Sequence, residues 1–182
     1  MNLTANILCP GPSLAAYDPA SRADLVIAVN RAILAGPADW LVALDAHTIG
    51  MMEEIPAVAN LLTGMATWGE IETCFPAFAA RVEHMPKRLL ETDWLPREKM
   101  GKFLGKSFFV AIVLAAQLGA DLIECWGADF GGVKDFDGYT HRKQKRDPGR
   151  WTHERALYEE LVTLLDARGC CVTRMALTVE AN

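Results

Sequence analysis

The sequence predicts an α/β fold, an open and mostly parallel sheet with helices on both faces, on three observations. Short apolar runs at residues 7–9, 24–30 and 39–45 have no polar alternation, the pattern of strands buried on both faces. Helical patterns separate the strand runs, as parallel connections require. Each of the first three strands ends in a glycine turn or a polar residue, as a Rossmann-like sheet does where its crevice receives a ligand. At 182 residues and 51% hydrophobic content, one Rossmann-like domain over 1–182 is expected, with an irregular connecting or lid region at about 64–104.

The first strand breaks at Cys9-Pro10-Gly11-Pro12-Ser13. Gly11 can take a conformation closed to other residues, and Pro12 suits a first helical position. The free amides of that turn and the Ser13 hydroxyl favour phosphate or carboxylate. A tight βα connection that binds nothing fits the same spacing. Residues 24–30 form the second strand, ending at Asn30, and residues 39–45 the third, ending at Asp45 with Ala46-His47-Thr48 behind it. Both ends are candidate ligand groups, and both also fit a helix N-cap.

Residues 48–63 read as a helix interrupted at Pro56. In 64–104, residues 64–68 and 81–85 are candidate short strands, and Trp68 and Trp94 are candidate stacking surfaces that equally fit packing roles. Gly101-Lys-Phe-Leu-Gly105-Lys-Ser107 has one residue too few between its glycines for a Walker loop. It reads instead as a helix start with Ser107 as N-cap and an almost wholly apolar helix from Phe108 to Leu118, whose amino end makes a second anion cradle.

Gly119 ends that helix, and residues 121–127 form another strand with Asp129 beyond its carboxyl end. The polar stretch 135–150 carries His141, Arg142, Lys143, Lys145, Arg146 and Arg150 and can fold over the crevice, or lie solvated. His141 is the candidate general acid or base, with Asp129 as the second candidate catalytic residue. An amphipathic helix over 151–168 presents Leu157, Leu161, Leu164 and Leu165 on one face and Glu154 elsewhere. Gly169 closes it before a last strand at 170–175.

The net charge of −5 argues against wholesale nucleic-acid binding and leaves any polyanion contact local. The odd set of cysteines, without a Cys-x-x-Cys pair, fits neither a disulfide framework nor a zinc site. Cys9, Cys125 and Cys170 read as small buried hydrophobes in a reducing cytoplasm. The apolar run 108–116 is too short to span a bilayer, so no membrane insertion is expected. Self-association into a homo-oligomer is left open.

A strand entering Gly11-Pro12-Ser13-Leu14, a second ending Val29-Asn30-Arg31, a third ending at Asp45, and Ala-x-x-x-Ala-x-x-Leu-Gly-Ala-x-x-Ile-x-x-x-Gly-x-Asp-Phe from Ala111 to Phe130 together resemble one superfamily. It includes the archaeal MptE-like 6-hydroxymethylpterin diphosphokinases, the bacterial CMP-sialic-acid-dependent sialyltransferases, and uncharacterised bacterial and phage-related members. The resemblance covers residues 7–45 and 105–132. It implies a nucleotide, of CMP type or ATP, with phosphates over the Gly11–Ser13 turn and the Ser107 helix start, and with Asn30 at the nucleoside. It further implies Mg²⁺ held by Asp45 and Asp129, and a catalytic histidine after the Gly-x-Asp strand, where both His141 and His153 fall. Transfer of a diphosphate or of a nucleotide-activated sugar is the expected chemistry. Two departures are visible: Cys9-Pro10 stands where the sialyltransferases have Gly-Asn, and Ser107-Phe108 where they have Ser-Gly. The first, together with the expected lack of a long lid, fits the alternative, a non-catalytic phage-associated or accessory binding protein that keeps the fold without the chemistry.

Overall fold

The computed structural model describes residues 2–50, 58–132, 134–140 and 148–175, without the side chain of His47. Seven described strands form one sheet: β1 (Leu3–Leu8), β2 (Leu25–Val29), β3 (Trp40–Val42), β4 (Asn60–Thr63), β5 (Glu83–Pro86), β6 (Ala120–Trp126) and β7 (Cys171–Met175). Their spatial order is β5-β4-β3-β2-β1-β6-β7, and all six pairings are parallel. The chain winds outward from β1 to β5, crosses back, and continues through β6 to β7. The reversal falls between β1 and β6, where Ile7 lies beside Cys125.

The helices are α1 (Ala46–Gly50), α2 (Met65–Cys74), α3 (Pro76–Ala79), α4 (Arg97–Leu104), α5 (Ser107–Gln117) and α6 (Pro148–Asp166). Short 3-10 segments follow β1 and β2 at Pro12–Ala16 and Asn30–Ala35. The strand period of two assigns alternate residues to two cores. Ile7, Ile27, Val42, Leu62 and Ile123 face the core shared with α4, α5 and α6. Leu8, Ala28, Leu41 and Leu61 face the core shared with the 3-10 segments and α1 to α3. Both faces are thus covered, which is why the strand runs lack polar alternation. In α5 every residue from Phe109 to Ala115 is buried. At about 1.5–3 kcal/mol for each large apolar side chain buried, this helix is firmly fixed against the sheet, and so is its amino end.

Residues 60–63, read from sequence as part of a helix, are strand β4, with Leu61 and Leu62 fully buried in opposite cores. Residues 64–68, a candidate strand, instead begin helix α2 after Gly64. The stretch 64–104 therefore supplies an edge strand and three helices to the sheet, where sequence reading expected a connecting or lid region. The candidate strand at 81–85 is present as β5, shifted to Glu83–Pro86. The expected helix break at Pro56 lies outside the described residues. Among the described residues no single helix is long and apolar enough to cross a membrane. Cys9, Cys125 and Cys170 are buried as expected. Burial pushes the Cys9 and Cys125 thiols well above the ordinary thiol range and Cys170 up to about 11.

Candidate functional site

At the reversal between β1 and β6 the two chains stay paired beyond their strands. The Cys9 amide donates to the Trp126 carbonyl at 2.8 Å and the Gly11 amide to the Gly127 carbonyl at 3.0 Å. Gly127, at φ +70°, turns the chain towards β1, and the carboxylate of Asp129 swings beneath the first turn after Gly11. Gly11 itself has φ −67° and ψ 162°, open to any residue. Its need for glycine is spatial: a Cβ would lie 2.2 Å from the Gly127 carbonyl oxygen and 2.5 Å from Asp129 Oδ2.

This packing changes the expected anion cradle. The turn is a five-residue 3-10 segment, and Pro12 has no amide hydrogen. The Ser13 amide donates to Asp129 Oδ2 at 2.8 Å, and the Leu14 amide donates to the Gly11 carbonyl at 3.0 Å. The donor expected to be free for a phosphate thus already holds the protein's own carboxylate, the charge that a helix start favours. Ser13 is buried, and Pro12 and Ser13 line a separate shallow depression with Arg155 and Arg174.

Beyond the carboxyl ends of the strands lies a cavity of about 430 Å³. Gly11, Asn30, Asp45, Ser107 and Asp129 all line it. Asn30 adopts φ +52°, which asparagine tolerates better than most residues, and begins the 3-10 segment after β2. The N-cap there is Val29, so Asn30 is not the cap that its type suggested. Its Oδ1 is buried and has no hydrogen-bond partner among the described residues. Asp45 is exposed immediately before α1, and its carbonyl accepts from the Thr48 amide at 3.1 Å. Lys106 is the N-cap of α5, and Ser107, expected to be the cap, is its first helical residue. The Ser107 hydroxyl instead accepts from the Leu44 amide at 3.4 Å, tying α5 to the end of β3.

Sequence reading missed a second group at this cavity. Glu154, expected on the polar side of α6, is 8% exposed. Its Oε1 accepts from both Lys106 Nζ and Arg150 Nε, each at 2.8 Å. The signal was present in the helical spacing: Glu154 shares a stripe with Leu157, Tyr158, Leu161 and Leu165, and Arg150 precedes it by one turn.

The segment after Asp129 does fold over the strand ends. The Phe136 amide donates to the Pro10 carbonyl at 2.9 Å. Arg31 pairs with Asp137, and its guanidinium lies 4.3 Å from the Tyr139 ring centroid. Burial by itself raises the Asp137 pKa. The Arg31 hydrogen bond, the Tyr139 amide and the Arg31 charge outweigh it and hold the carboxyl below its ordinary value. His141, Arg142, Lys143, Lys145 and Arg146 lie outside the described residues. His153 is exposed, and no histidine among the described residues lines the cavity. Trp68 stacks on His84 with ring centroids 4.3 Å apart, and the Trp94 indole donates to the Glu91 carbonyl; neither lines the cavity. Among the described residues no three His, Cys, Asp or Glu side chains gather as a metal site. Asp45 and Asp129, the two carboxylates that the superfamily resemblance assigns to magnesium, both line the cavity.

No protein-family model, no curated protein and no solved structure matches this chain.

Proposed function

We propose that this chain binds a nucleotide in the strand-end cavity and transfers a diphosphate or a nucleotide-activated sugar. One observation carries the reading: residues 11, 30, 45, 107 and 129, far apart in sequence, line a single cavity at the carboxyl ends of a parallel sheet. A cavity of about 430 Å³ is within the range of small-molecule sites. The phosphates go to the start of α5, where the first-turn amides have no intrahelical acceptor and Lys106 and Ser107 stand beside them. Asn30, with a buried amide oxygen that lacks a donor, takes a nucleoside N–H. Magnesium would be held by Asp45 and by Asp129, which keeps Ser13 through Oδ2, and it would neutralise phosphate charge during transfer.

A second reading, a binding protein without chemistry, is favoured by the Asp129 contact with the Ser13 amide. That donor is the one the superfamily resemblance gives to phosphate, and here it is taken.

The test is a thermal-shift panel of CMP, CDP, CTP, ATP, GTP and CMP-sialic acid, each with and without Mg²⁺. A ligand at one hundred times its Kd stabilises the folded state by about 2.7 kcal/mol, or roughly 5–10 °C for a chain of this size. Mg²⁺-dependent stabilisation by ATP supports diphosphate transfer, and selective stabilisation by cytidine nucleotides supports glycosyl transfer. Stabilisation with no turnover of the bound nucleotide supports the second reading, and no shift with any member overturns both.

A further inference from the structure

We propose that Ser13, Arg155 and Arg174 form a second ligand site, in the shallow depression that shares Asp129 and Gly131 with the strand-end cavity, and that it takes a single phosphoryl group. The proposal goes beyond the nucleotide reading and does not depend on it. Nor is this the cradle of turn amides that the superfamily resemblance implies, since the Ser13 amide is committed to Asp129.

Three observations carry it. First, the charges in the depression are unequal and unpaired. Its lining includes two guanidinium groups, Arg155 from α6 and Arg174 from β7, and one carboxylate, Asp129. Among the described residues neither arginine forms an ion pair, whereas Arg31, Lys106 and Arg150 at the larger cavity are each paired with a carboxylate. Asp129 Oδ2 instead accepts from the Ser13 amide at 2.8 Å. Secondly, the arginine donors are uncommitted. Arg155 makes no side-chain hydrogen bond among the described residues. Arg174 makes one long bond, from Nη1 to the Ala128 carbonyl at 3.5 Å, and lies 5.7 Å from the Phe130 ring centroid. Each guanidinium carries five donors, and both residues are exposed. Thirdly, Ser13 is 5% exposed and its Oγ is buried without a partner among the described residues. A buried hydroxyl left unmet costs free energy, and this one belongs to a residue that lines the depression. The ligand's chemistry follows from the donors. Forked guanidinium groups suit phosphate and carboxylate alike. A phosphoryl group, however, presents three acceptor oxygens and can meet both arginines and the hydroxyl together, where a carboxylate has two.

The test is a nuclear magnetic resonance titration of the intact, isotope-labelled chain with inorganic phosphate in a chloride buffer. Saturable shifts are expected at the Gly131 and Gly132 amides and at the Arg155 and Arg174 side chains. Arg155→Gln and Arg174→Gln are each expected to weaken phosphate about tenfold, the loss of one charge-assisted pair. Because the Arg155 side chain is exposed and holds nothing among the described residues, Arg155→Gln is expected to fold with an unchanged Tm. Ser13→Ala keeps the amide on Asp129 and removes only the hydroxyl. It is expected to weaken phosphate about threefold with no loss of Tm, which a structural role for the hydroxyl would not allow. Glycerol phosphate separates the sources: affinity equal to that of inorganic phosphate supports a phosphate monoester as the ligand, and much weaker affinity supports free phosphate. Acetate bound as tightly as phosphate overturns the phosphoryl assignment, and an absence of saturable shifts overturns the site. Phosphate shifts confined to Lys106 and Ser107, and unaltered in Arg155→Gln, overturn this site and leave the nucleotide reading standing. Saturable shifts at Arg155 and Arg174 in a chain that ignores every nucleotide support this site and overturn the nucleotide reading.

Discussion

A Cβ at Gly127 would lie 2.0 Å from the Cys9 carbonyl oxygen and 2.9 Å from the Leu14 Cβ, and the backbone there has φ +70°. Two costs therefore fall on one residue, a left-handed backbone and a clash with the neighbouring strand end. Gly127→Ala is expected to lose on the order of 3–5 kcal/mol, the sum of backbone strain and overpacking. Gly119 separates the two terms: it has φ +90° with nothing within 4 Å of its Cβ position, so Gly119→Ala should cost only about 1–2 kcal/mol. Urea denaturation of the pair decides the point, and equal losses would show that the approach of β6 to β1 is not tight. The strand-end residues Asn30, Asp45 and Asp129 were legible because a polar residue closing an apolar run is a local signal. Glu154 was passed over although its helical spacing marked it, because its charge placed it on the polar side and one of its two partners, Lys106, comes from another element.

The 134–140 segment is held over the ends of β1 and β2 by a few contacts, of which the Arg31 pair with Asp137 and the Arg31–Tyr139 stack are two. Arg31→Ala removes both while leaving the Phe136 amide on Pro10. Hydrogen exchange at residues 135–139 is expected to accelerate at least fivefold, with β2 unchanged, since local opening reports few contacts rather than global stability. The pH dependence has a definite sign. The Asp137 pKa is lower in the folded chain, so the contribution of the pair is full above the ordinary carboxylate value. It is lost as pH falls through the folded value. Protection from exchange in this segment, taken relative to the intrinsic amide rate at each pH, should therefore fall on acidification, and the Arg31→Ala chain should lack that fall. A flat wild-type profile would remove the ion pair from the account.

At this same scale the sequence was read well where elements are long or apolar, as with β2 and α5, and badly at β4 and α2. Four residues, Asn-Leu-Leu-Thr, are too few to display a period of two when both leucines are buried on opposite faces. In α2 the residues Thr67, Trp68, Ile71 and Thr73 favour strands, and Ile71 is its one buried residue, so neither propensity nor periodicity marks the helix.

Across the whole molecule, β1 lies between β2 and β6 near the middle of the sheet and contributes to both cores, so breaching either core exposes it. The five cysteines report on this arrangement because they sample its depth. Cys9 and Cys125 lie at the β1–β6 junction, Cys170 is 7% exposed where α6 turns into β7, and Cys74 and Cys171 are exposed. Since the thiolate is the reactive form, burial protects twice, by excluding the reagent and by raising the pKa of the three buried thiols. An aromatic disulfide reagent at pH 8 is therefore expected to label Cys74 and Cys171 promptly in the native chain. The remaining three should label at a rate that tracks unfolding as urea is added, with Cys9 and Cys125 appearing together because they share one junction. Peptide mapping of the labelled sites separates the outcomes. Prompt native labelling of Cys9 or Cys125 would mean that the strand junction opens locally, and the floor of the cavity would then be a moving surface rather than a fixed one.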